Sequence, residues 1–246
     1  MSFELFGGLT VRMYAILIVA GMVIAIRYMG RQEKRLGLPK DTALDMALWA
    51  IPIGVAGARI YYVAFTWDQF AADPVSVFRI WNGGLAIYGG IIGGFFGVLA
   101  LSRVKKLPLG KLADMAAPAV ILAQAIGRWG NFFNGEAYGN PIADPAWRFF
   151  PFGVLVDGVW YQATFFYESV WDAAGFLFLH FMRKRLRAEG DLLFLYFVFY
   201  GAGRALIEGL RSDSLWWGPF RVSQVLSLAL CAVGLTVLII RERKAG

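Results

Sequence analysis

Residues 11–29 read VRMYAILIVAGMVIAIRYM and are followed at once by GRQEKR, residues 30–35. The length of this stretch approaches the roughly 20 mostly apolar residues that a helix needs to cross the hydrocarbon core of a bilayer. A run of Arg and Lys directly after such a stretch is typical of the cytoplasmic end of a membrane span. The same pairing recurs along the chain and predicts an integral membrane protein.

The composition supports this class. Hydrophobic residues make up 59% of the 246 residues and charged residues only 17%, against roughly 45–50% apolar residues in ordinary soluble domains. These values exclude a disordered chain and disfavour a soluble globular domain. A single Cys and a single His exclude a disulfide scaffold and a Cys-rich or His-cluster metal site.

We predict an all-α polytopic membrane protein with seven spans, which form one integral membrane domain over residues 1–246. Pro52 and Pro118 fall inside the second and fourth spans, where neighbouring groups can satisfy the freed carbonyls. The seven spans cover residues 11–29, 43–65, 84–102, 112–127, 165–182, 192–210 and 222–240.

The basic runs predict the orientation, because they follow the first, third, fifth and seventh spans. By the positive-inside rule, the N-terminus is then outside and the C-terminus is cytoplasmic. This placement accounts for the net charge of +7 without nucleic acid. The first ten residues contain Glu4 and no Lys or Arg, so we expect no cleavable signal peptide. We expect a short interfacial helix around Phe3 to Phe6.

Outside the four basic runs, the chain has eight basic residues, and all of them are Arg. By the predicted orientation, all eight fall outside the membrane or in its outer half. Arg suits bidentate recognition of phosphate, although snorkelling from helix ends is the simpler explanation for most of them. Arg59, Arg128 and Arg204 are different, because ionisable residues within a span are functional candidates by default. Tyr200 and Glu208 share a helical face with Arg204, so a purely structural Arg204–Glu208 ion pair is the alternative.

Other polar side chains fall at the same depth in the outer half of the membrane. Together they predict a cavity that opens to the outer leaflet. They are Tyr14, Tyr88, Gln124, Tyr167 and Glu168. In the third span, Gly90 and Gly94 fit the small-xxx-small spacing of closely packed membrane helices.

The predicted outer connection, residues 128–164, is longer than most structureless loops, which suggests a functional role. It begins within the signature segment GRWGNFFNGE, residues 127–136. Glycines let backbone amides approach an anion closely, and Arg supplies charge-assisted hydrogen bonds. The segment therefore predicts a phosphate or glycerol cradle, with a re-entrant membrane turn as the alternative.

The signature segment resembles that of the bacterial prolipoprotein diacylglyceryl transferase family. Further segments resemble other motifs of the family, so that the resemblance covers most of the chain. These are GARIYY at 57–62, GGLAIYGG at 83–90, TFFYES at 164–169, and YGAGR at 200–204 with Glu208 and Arg211.

The resemblance implies an activity that begins bacterial lipoprotein maturation. The family transfers the diacylglyceryl group of phosphatidylglycerol to the lipobox Cys thiol of preprolipoproteins, forming a thioether and releasing glycerol phosphate. The implied partners are phosphatidylglycerol, preprolipoprotein signal peptides with a lipobox Cys, and the lipid bilayer. The implied place is the bacterial cytoplasmic (inner) membrane, with the active site toward the outer leaflet. No cofactor, metal or nucleic acid is implied.

The predicted site follows residue by residue from the motifs and from the intramembrane polar groups. Arg128 and Arg204 are the implied phosphate-binding arginines, and Tyr88 and Glu136 complete the predicted catalytic set. The predicted substrate-binding residues are Arg128, Asn131, Gly139, Tyr14, Arg59, Tyr200 and Glu208.

Two positions depart from the family pattern. Many relatives have His where Tyr88 stands, and that His has been considered as a base. The only His here, His180, lies beside a basic run and is expected at the cytoplasmic side. The base thus remains open among Tyr88, Glu136, the phosphate itself and the positive field acting on the thiol. Gln162 and Ala163 replace a common His-Pro pair, which affects the expected loop geometry.

Cys231 falls in the middle of the seventh span and is expected to be a small packing residue, so the nucleophilic thiol should come from the substrate. A transporter or flippase for an anionic lipid or solute is the alternative function, because intramembrane Arg and Glu suit it too. The clustering of polar groups in the outer half alone argues against transport. A structural membrane subunit would leave the signature segment unexplained.

Overall fold

The computed structural model describes the backbone of residues 2–5, 9–186 and 188–245, and the side chains of residues 12–186 and 188–244. The described chain is mostly helical, which confirms the predicted class of helical membrane protein. Five helices are long and apolar enough to cross a membrane. They are α1 (Met13–Gly30), α3 (Thr42–Phe65), α4 (Ile87–Lys105), α5 (Leu109–Asn134) and α8 (Val222–Ala245).

The fifth and sixth predicted spans are also helical, as α6 (Thr164–Met182) and α7 (Asp191–Glu208). They are not among the five helices that suit a membrane by composition, and both carry buried acidic residues. The total of seven spans and the orientation of the termini therefore stay predictions.

The chain divides into two compact units, one made of residues 1–28 and 113–246 and the other of residues 29–112. The expected single membrane domain over residues 1–246 also stays a prediction.

In the unit of residues 29–112, the short helix α2 (Glu33–Leu36) precedes the pair formed by α3 and α4. The carboxylate of Glu33 accepts hydrogen bonds from the backbone N–H groups of Asp41 (3.1 Å) and Ala43 (2.8 Å) at the start of α3. These bonds satisfy donors that a helix N-terminus leaves without an intrahelical partner.

Glycines let α3 and α4 pack backbone against backbone. An added Cβ on Gly57 would lie 2.5 Å from the carbonyl oxygen of Gly89, and one on Gly93 would lie 2.5 Å from that of Ile53. The close contact therefore involves Gly89 and Gly93. Gly90 and Gly94, which fit the small-xxx-small spacing, also face α3, because an added Cβ on Gly54 would lie 3.3 Å from the carbonyl oxygen of Gly90. They are less tightly packed, since added Cβ atoms on them would lie 3.7 and 3.8 Å from their nearest neighbours.

In the unit of residues 1–28 and 113–246, the chain begins with a hairpin of β1 (Ser2–Leu5) and β2 (Leu9–Arg12). The expected interfacial helix is therefore wrong over residues 3–5, and Phe6 lies outside the described residues. Pairing with β2 gives backbone groups of β1 hydrogen-bond partners in an extended conformation, in place of those of a helix.

Helix α5 continues through residues 128–134, which the sequence assigned to an outer loop. The glycines at 127 and 130 therefore sit inside a helix and do not end it. The connection to α6 contains an antiparallel hairpin of β3 (Gly153–Val156) and β4 (Val159–Gln162). Its tip is Asp157-Gly158, both with positive φ, as the tight turns that match the twist of the strands require.

Helices α5, α6 and α7 share a buried apolar cluster of Ile121, Leu179 and Leu192. Asp114 of α5 also caps α7, because its carboxylate accepts hydrogen bonds from the backbone N–H groups of Gly190 (2.8 Å) and Leu192 (2.9 Å). A small hairpin of β5 (Trp216–Trp217) and β6 (Phe220–Arg221) then leads into α8.

The glycine packing of α3 and α4 predicts unequal effects of two neighbouring substitutions. Gly93→Ala should lower the unfolding temperature in detergent and cost about 1–3 kcal/mol, because its methyl group must displace backbone. Gly94→Ala, the matched control, has room for the methyl group and gains up to about 1 kcal/mol of helix propensity. Equal unfolding temperatures for the two variants would contradict this packing.

Candidate functional site

Three arginines meet at one buried carboxylate, that of Glu168, which is only 3% exposed. The Nη1 atom of Arg128 lies 2.8 Å from Oε2 of Glu168, and Nη1 of Arg211 lies 3.5 Å from its Oε1. Arg204 donates from its own Nη1 to the same Oε1. We refer to Arg128, Arg204 and Arg211 as the arginine cluster.

The elements of this unit explain why these side chains meet. Arg128 lies two turns before the end of α5, Glu168 lies in the second turn of α6, and Arg204 lies in the last two turns of α7. Arg204 also pairs with Glu208, four residues further along α7, with 2.6 Å between Nη2 and Oε2. The ion pair that the helical spacing predicted is therefore present.

Arg211 follows α7 and is held on two sides. Its Nε and Nη2 atoms donate to the two carboxylate oxygens of Asp213, at 2.9 and 2.7 Å, while Nη1 faces Glu168. Partial burial acts to raise the pKa of Asp213, but the hydrogen bonds and charge of Arg211 outweigh it and keep that pKa below its usual value. Arg211 therefore has a carboxylate at each of its three nitrogens.

The other two arginines keep more of their donors available. Among the described residues, Arg128 makes no hydrogen bond from Nε or Nη2, and Asp172 lies 3.9 Å from its Nε. Arg204 makes no hydrogen bond from Nε to a described residue. Arg128 and Arg204 are thus the members of the cluster that can add an anionic ligand without losing an existing partner.

Asn131 and Glu136, both predicted from the signature segment, contact each other. The Nδ2 of Asn131 donates to Oε1 of Glu136 at 3.1 Å, and the backbone N–H of Glu136 donates to the carbonyl of Asn131 at 3.0 Å. Asn134 donates to the same Oε1 at 3.2 Å. The expected cradle of loop amides is wrong over residues 128–134, because these residues belong to α5.

A cavity of about 550 Å³ lies beside Glu136. None of the five polar residues from which a cavity was predicted lines it, so the cavity that opens to the outer leaflet stays a prediction. Glu136, Tyr138, Asp157, Tyr161 and Asp213 contribute to its walls. Burial, with the negative charges of Asp157 and Glu136, raises the pKa of Tyr138. These carboxylates disfavour phosphate within the cavity, in contrast to the arginine cluster.

Gly139 contributes through its backbone. Its N–H donates to the carbonyl of Gln162 at 2.9 Å, and it forms an antiparallel bridge with Arg211. An added Cβ would lie 2.7 Å from the Cβ of Gln162 and 2.8 Å from the Cγ2 of Thr164. Close packing therefore requires glycine at position 139. The same packing fixes the chain next to Arg211.

Tyr14 and Tyr200 occupy two different surroundings in this unit. Tyr14 packs on the signature segment, since an added Cβ on Gly130 would lie 2.8 Å from its Cδ2. The ring of Tyr200 stacks on that of Tyr196 at 5.4 Å between centroids, and the hydroxyl of Tyr196 donates to Gln124 at 3.3 Å.

Arg59 and Tyr88 belong to the unit of residues 29–112. Arg59 is buried and donates to four backbone carbonyls, which supports a structural role in place of the predicted contact with substrate. Its bonds reach Ser76 (2.8 Å), Val77 (2.6 Å), Gly83 (2.8 Å) and Gly84 (3.0 Å). The ring of Tyr88 lies 6.4 Å from that of Tyr61.

Sequence reasoning noticed Glu168 as an intramembrane polar group but did not include it in the site, and it left out Asp172 and Arg211. One signal was available. Glu168 and Asp172 are four residues apart in an otherwise apolar span, so they share a helical face. Two acids on one buried face indicate cations opposite them, because an unpaired buried charge is costly.

Chemically, the arginine cluster suits an anion that gains charge during a reaction. Guanidinium groups bind phosphate through paired, charge-assisted hydrogen bonds. Fixed cations aimed at developing charge in a site shielded from water are often the largest contribution to catalysis.

Comparison with known proteins gives one family. A family model described as prolipoprotein diacylglyceryl transferase matches residues 1–240. The phosphatidylglycerol–prolipoprotein diacylglyceryl transferase of Listeria welshimeri is 42% identical over 248 residues, which cover 97% of this chain and 88% of the relative. A protein of the same name from Bacillus cytotoxicus is 41% identical, over 98% of this chain and 91% of the relative.

Two glycines, Gly127 at the start of the signature segment and Gly139 shortly after its end, should respond differently to substitution. Gly139→Ala forces a methyl group against Gln162 and Thr164, and should cost about 1–3 kcal/mol of stability. An added Cβ on Gly127 would meet no atom of the described residues within 4 Å, and alanine favours the helix there, so Gly127→Ala should keep or raise the wild-type unfolding temperature. Thermal unfolding in detergent measures both, and a stable Gly139→Ala variant would contradict the packing described for Gly139.

Proposed function

Because the chain belongs to the prolipoprotein diacylglyceryl transferase family, we propose that it transfers the diacylglyceryl group of phosphatidylglycerol to the lipobox Cys thiol of a preprolipoprotein. Glycerol phosphate is the leaving group. The observation that carries the proposal for this site is the arginine cluster, in which Arg128 and Arg204 keep guanidinium donors available beside a buried carboxylate.

The reaction forms one bond and breaks one. The thiolate sulfur of the peptide attacks the glyceryl carbon that carries the phosphate, so a C–S bond forms as the C–O bond breaks. The electron pair of the broken bond remains on the phosphate oxygen. The thiol proton goes to a base of the enzyme or to the departing phosphate. Arg128 and Arg204 bind the phosphate and stabilise the charge that develops on the leaving oxygen.

The nucleophile comes from the substrate in this proposal. The single Cys of the chain, Cys231, lies within α8 and is partly buried. An added Cβ on Gly201 of α7 would lie 3.1 Å from the Cβ of Cys231, so this side chain serves the contact between the two helices. That position supports a packing role for Cys231.

For the remaining predicted residues, we propose that Asn131 and Glu136 act as one hydrogen-bonded pair toward the substrate. Tyr14 and Tyr200 contribute to lipid binding, and Glu208 orients Arg204. Tyr88 and Glu136 are the candidate bases. Arg59 is the one predicted substrate contact for which the hydrogen bonds favour a different, structural role.

We place the protein in the bacterial cytoplasmic (inner) membrane with seven spans, adding α6 and α7 to the five apolar helices. The N-terminus is then outside, and the arginine cluster faces the outer leaflet, where the lipobox of a translocated preprolipoprotein arrives. The basic runs after the first, third, fifth and seventh spans support this orientation. The buried charged residues of α6 and α7 lie beside opposite charges, Glu168 and Glu208 beside Arg204 and Asp191 beside Arg241, which lowers the free-energy cost of placing them in a membrane.

The activity is tested with the purified full chain, phosphatidylglycerol in detergent micelles and a lipobox peptide. We expect glycerol phosphate release that requires the peptide Cys and is absent with a Cys→Ser peptide. Arg128→Ala should lower kcat about 100- to 1000-fold, because it removes a donor that stabilises the developing charge. Arg128→Lys should retain only part of the activity, because lysine keeps the positive charge but lacks the planar guanidinium group that binds phosphate through two hydrogen bonds.

Arg79→Ala is the matched control for the arginine variants. Arg79 is an exposed outer arginine that pairs with Asp73 at 3.0 Å. Exposed ion pairs contribute only about 0–1 kcal/mol, so this variant should release glycerol phosphate at the wild-type rate. If the folded wild-type protein releases no glycerol phosphate, the transferase proposal is wrong. Transport of an anionic lipid, which leaves the lipid intact, is then favoured.

The role of Tyr88 can be tested in the same assay. If Tyr88 takes the thiol proton as its phenolate, Tyr88→Phe should lower kcat about 10- to 100-fold and leave a measurable rate, because other groups can accept the proton. Tyr61→Phe is the matched control, since Tyr61 is the neighbouring ring. Full activity of Tyr88→Phe would remove Tyr88 as the base and leave Glu136 or the phosphate.

A further inference from the structure

Glu168 stands apart from the other acids around the arginine cluster. It lies within 3.5 Å of all three guanidinium groups, which come from α5, from α7 and from the chain after α7. Glu208 pairs only with Arg204, and Asp213 only with Arg211, among the described ion pairs. One carboxylate therefore connects three separate segments of the chain.

The three guanidinium groups could not remain this close without an anion between them. Like charges in a site shielded from water repel strongly, and each would otherwise turn toward its nearest separate partner. Glu168 faces the Nη1 atom of each arginine, and Glu208 faces Nη2 of Arg204. Nε and Nη2 of Arg128 and Nε of Arg204 then make no hydrogen bond to a described residue. Glu168 thus determines which donors of the two arginines remain available.

Net stability alone is a weak explanation for this arrangement. The attraction within a buried ion pair offsets little more than the free energy needed to remove its charges from water. A protein with well-packed apolar residues in place of the pair is often as stable. The strong effect of the pair is on geometry, because it fixes planar groups in one orientation before the ligand arrives.

We propose that Glu168 is a positioning residue for the transfer reaction. Its carboxylate sets the spacing of Arg128 and Arg204, so that their available N–H groups meet the phosphate where negative charge develops on the leaving oxygen. This inference rests on the proposed function, because it assumes that the two arginines bind the phosphate of the lipid. Both oxygens of Glu168 face guanidinium groups, so Glu168 acts through the arginines and not as the base for the thiol.

The test compares Glu168→Gln and Glu168→Asp with Asp191→Asn in the glycerol phosphate assay. Gln keeps the size of the side chain without its charge, and Asp keeps the charge one methylene shorter. Asp191 is the matched control, because it is a buried acid paired with an arginine, Arg241, at 2.7 Å. It lies at the opposite end of α7 from Arg204. For every variant, kcat and KM for phosphatidylglycerol are measured together with the unfolding temperature.

Misplaced donors should slow the chemical step more than they weaken lipid binding. We expect Glu168→Gln to lower kcat about 100-fold, since displacements of about 1 Å can cost this much. The KM should stay the same or fall, because the freed arginines still bind phosphate. Glu168→Asp should restore about a tenth of the wild-type kcat. Asp191→Asn should lower the unfolding temperature and leave the kcat of the folded protein unchanged.

Two results would overturn the inference. One is a folded Glu168→Gln variant with wild-type kcat, and the other is a loss of kcat in Asp191→Asn as large as in Glu168→Gln. If Glu168→Gln does not fold, Glu168→Asp decides, and full kcat in that variant overturns the inference. Loss of release in the wild-type protein would instead refute the proposed function, so the two failures are distinguishable.

Discussion

A buried positive charge in an apolar protein needs a negative charge within a few ångströms, and this requirement ties α5, α6 and α7 together. Placing an ionised group at the centre of a span costs at least about 2.5 kcal/mol by insertion scales. Arg128 and Arg204 meet that requirement through Glu168, so the helices that carry them must bring these residues to one depth. The register of the three helices is thereby fixed by charge as well as by the apolar contacts of Ile121 and Leu179.

Small residues supply the complementary constraint. Where two segments must approach closely, the chain has glycine, as at Gly93 between α3 and α4 and at Gly139 beside Gln162. Neither glycine offers a side chain to a ligand, yet Gly139 fixes the backbone that pairs with Arg211. Within the unit of residues 1–28 and 113–246, the charge pairing at Glu168 and the close packing at Gly139 together hold the guanidinium groups in place.

The sequence predicted the helices well and the connections poorly, for physical reasons. Hydropathy and basic runs located the ends of the long helices to within three residues, except the C-terminal ends of α5 and α8, because the requirement for apolar length is strong. The ion pair between Arg204 and Glu208 followed from helical spacing alone. The end of α5 was misplaced because Gly127 and Gly130 suggest a loop when read singly. The partners of Glu168 come from distant parts of the chain, and no local pattern encodes such a meeting. The hairpin turn at Asp157-Gly158 was not predicted, although Asp-Gly is a common dipeptide in such turns.

The hydrogen bonds of Arg59 have an evolutionary consequence. All four go to backbone carbonyls, so they hold the segment between α3 and α4 without reading its side chains. Most positions of that segment are then free to diverge among relatives while its path is retained. Gly84 is an exception, because an added Cβ there would lie 2.5 Å from Nη1 of Arg59. We therefore expect most positions between α3 and α4 to vary among relatives, whereas Arg59 and Gly84 change together or not at all.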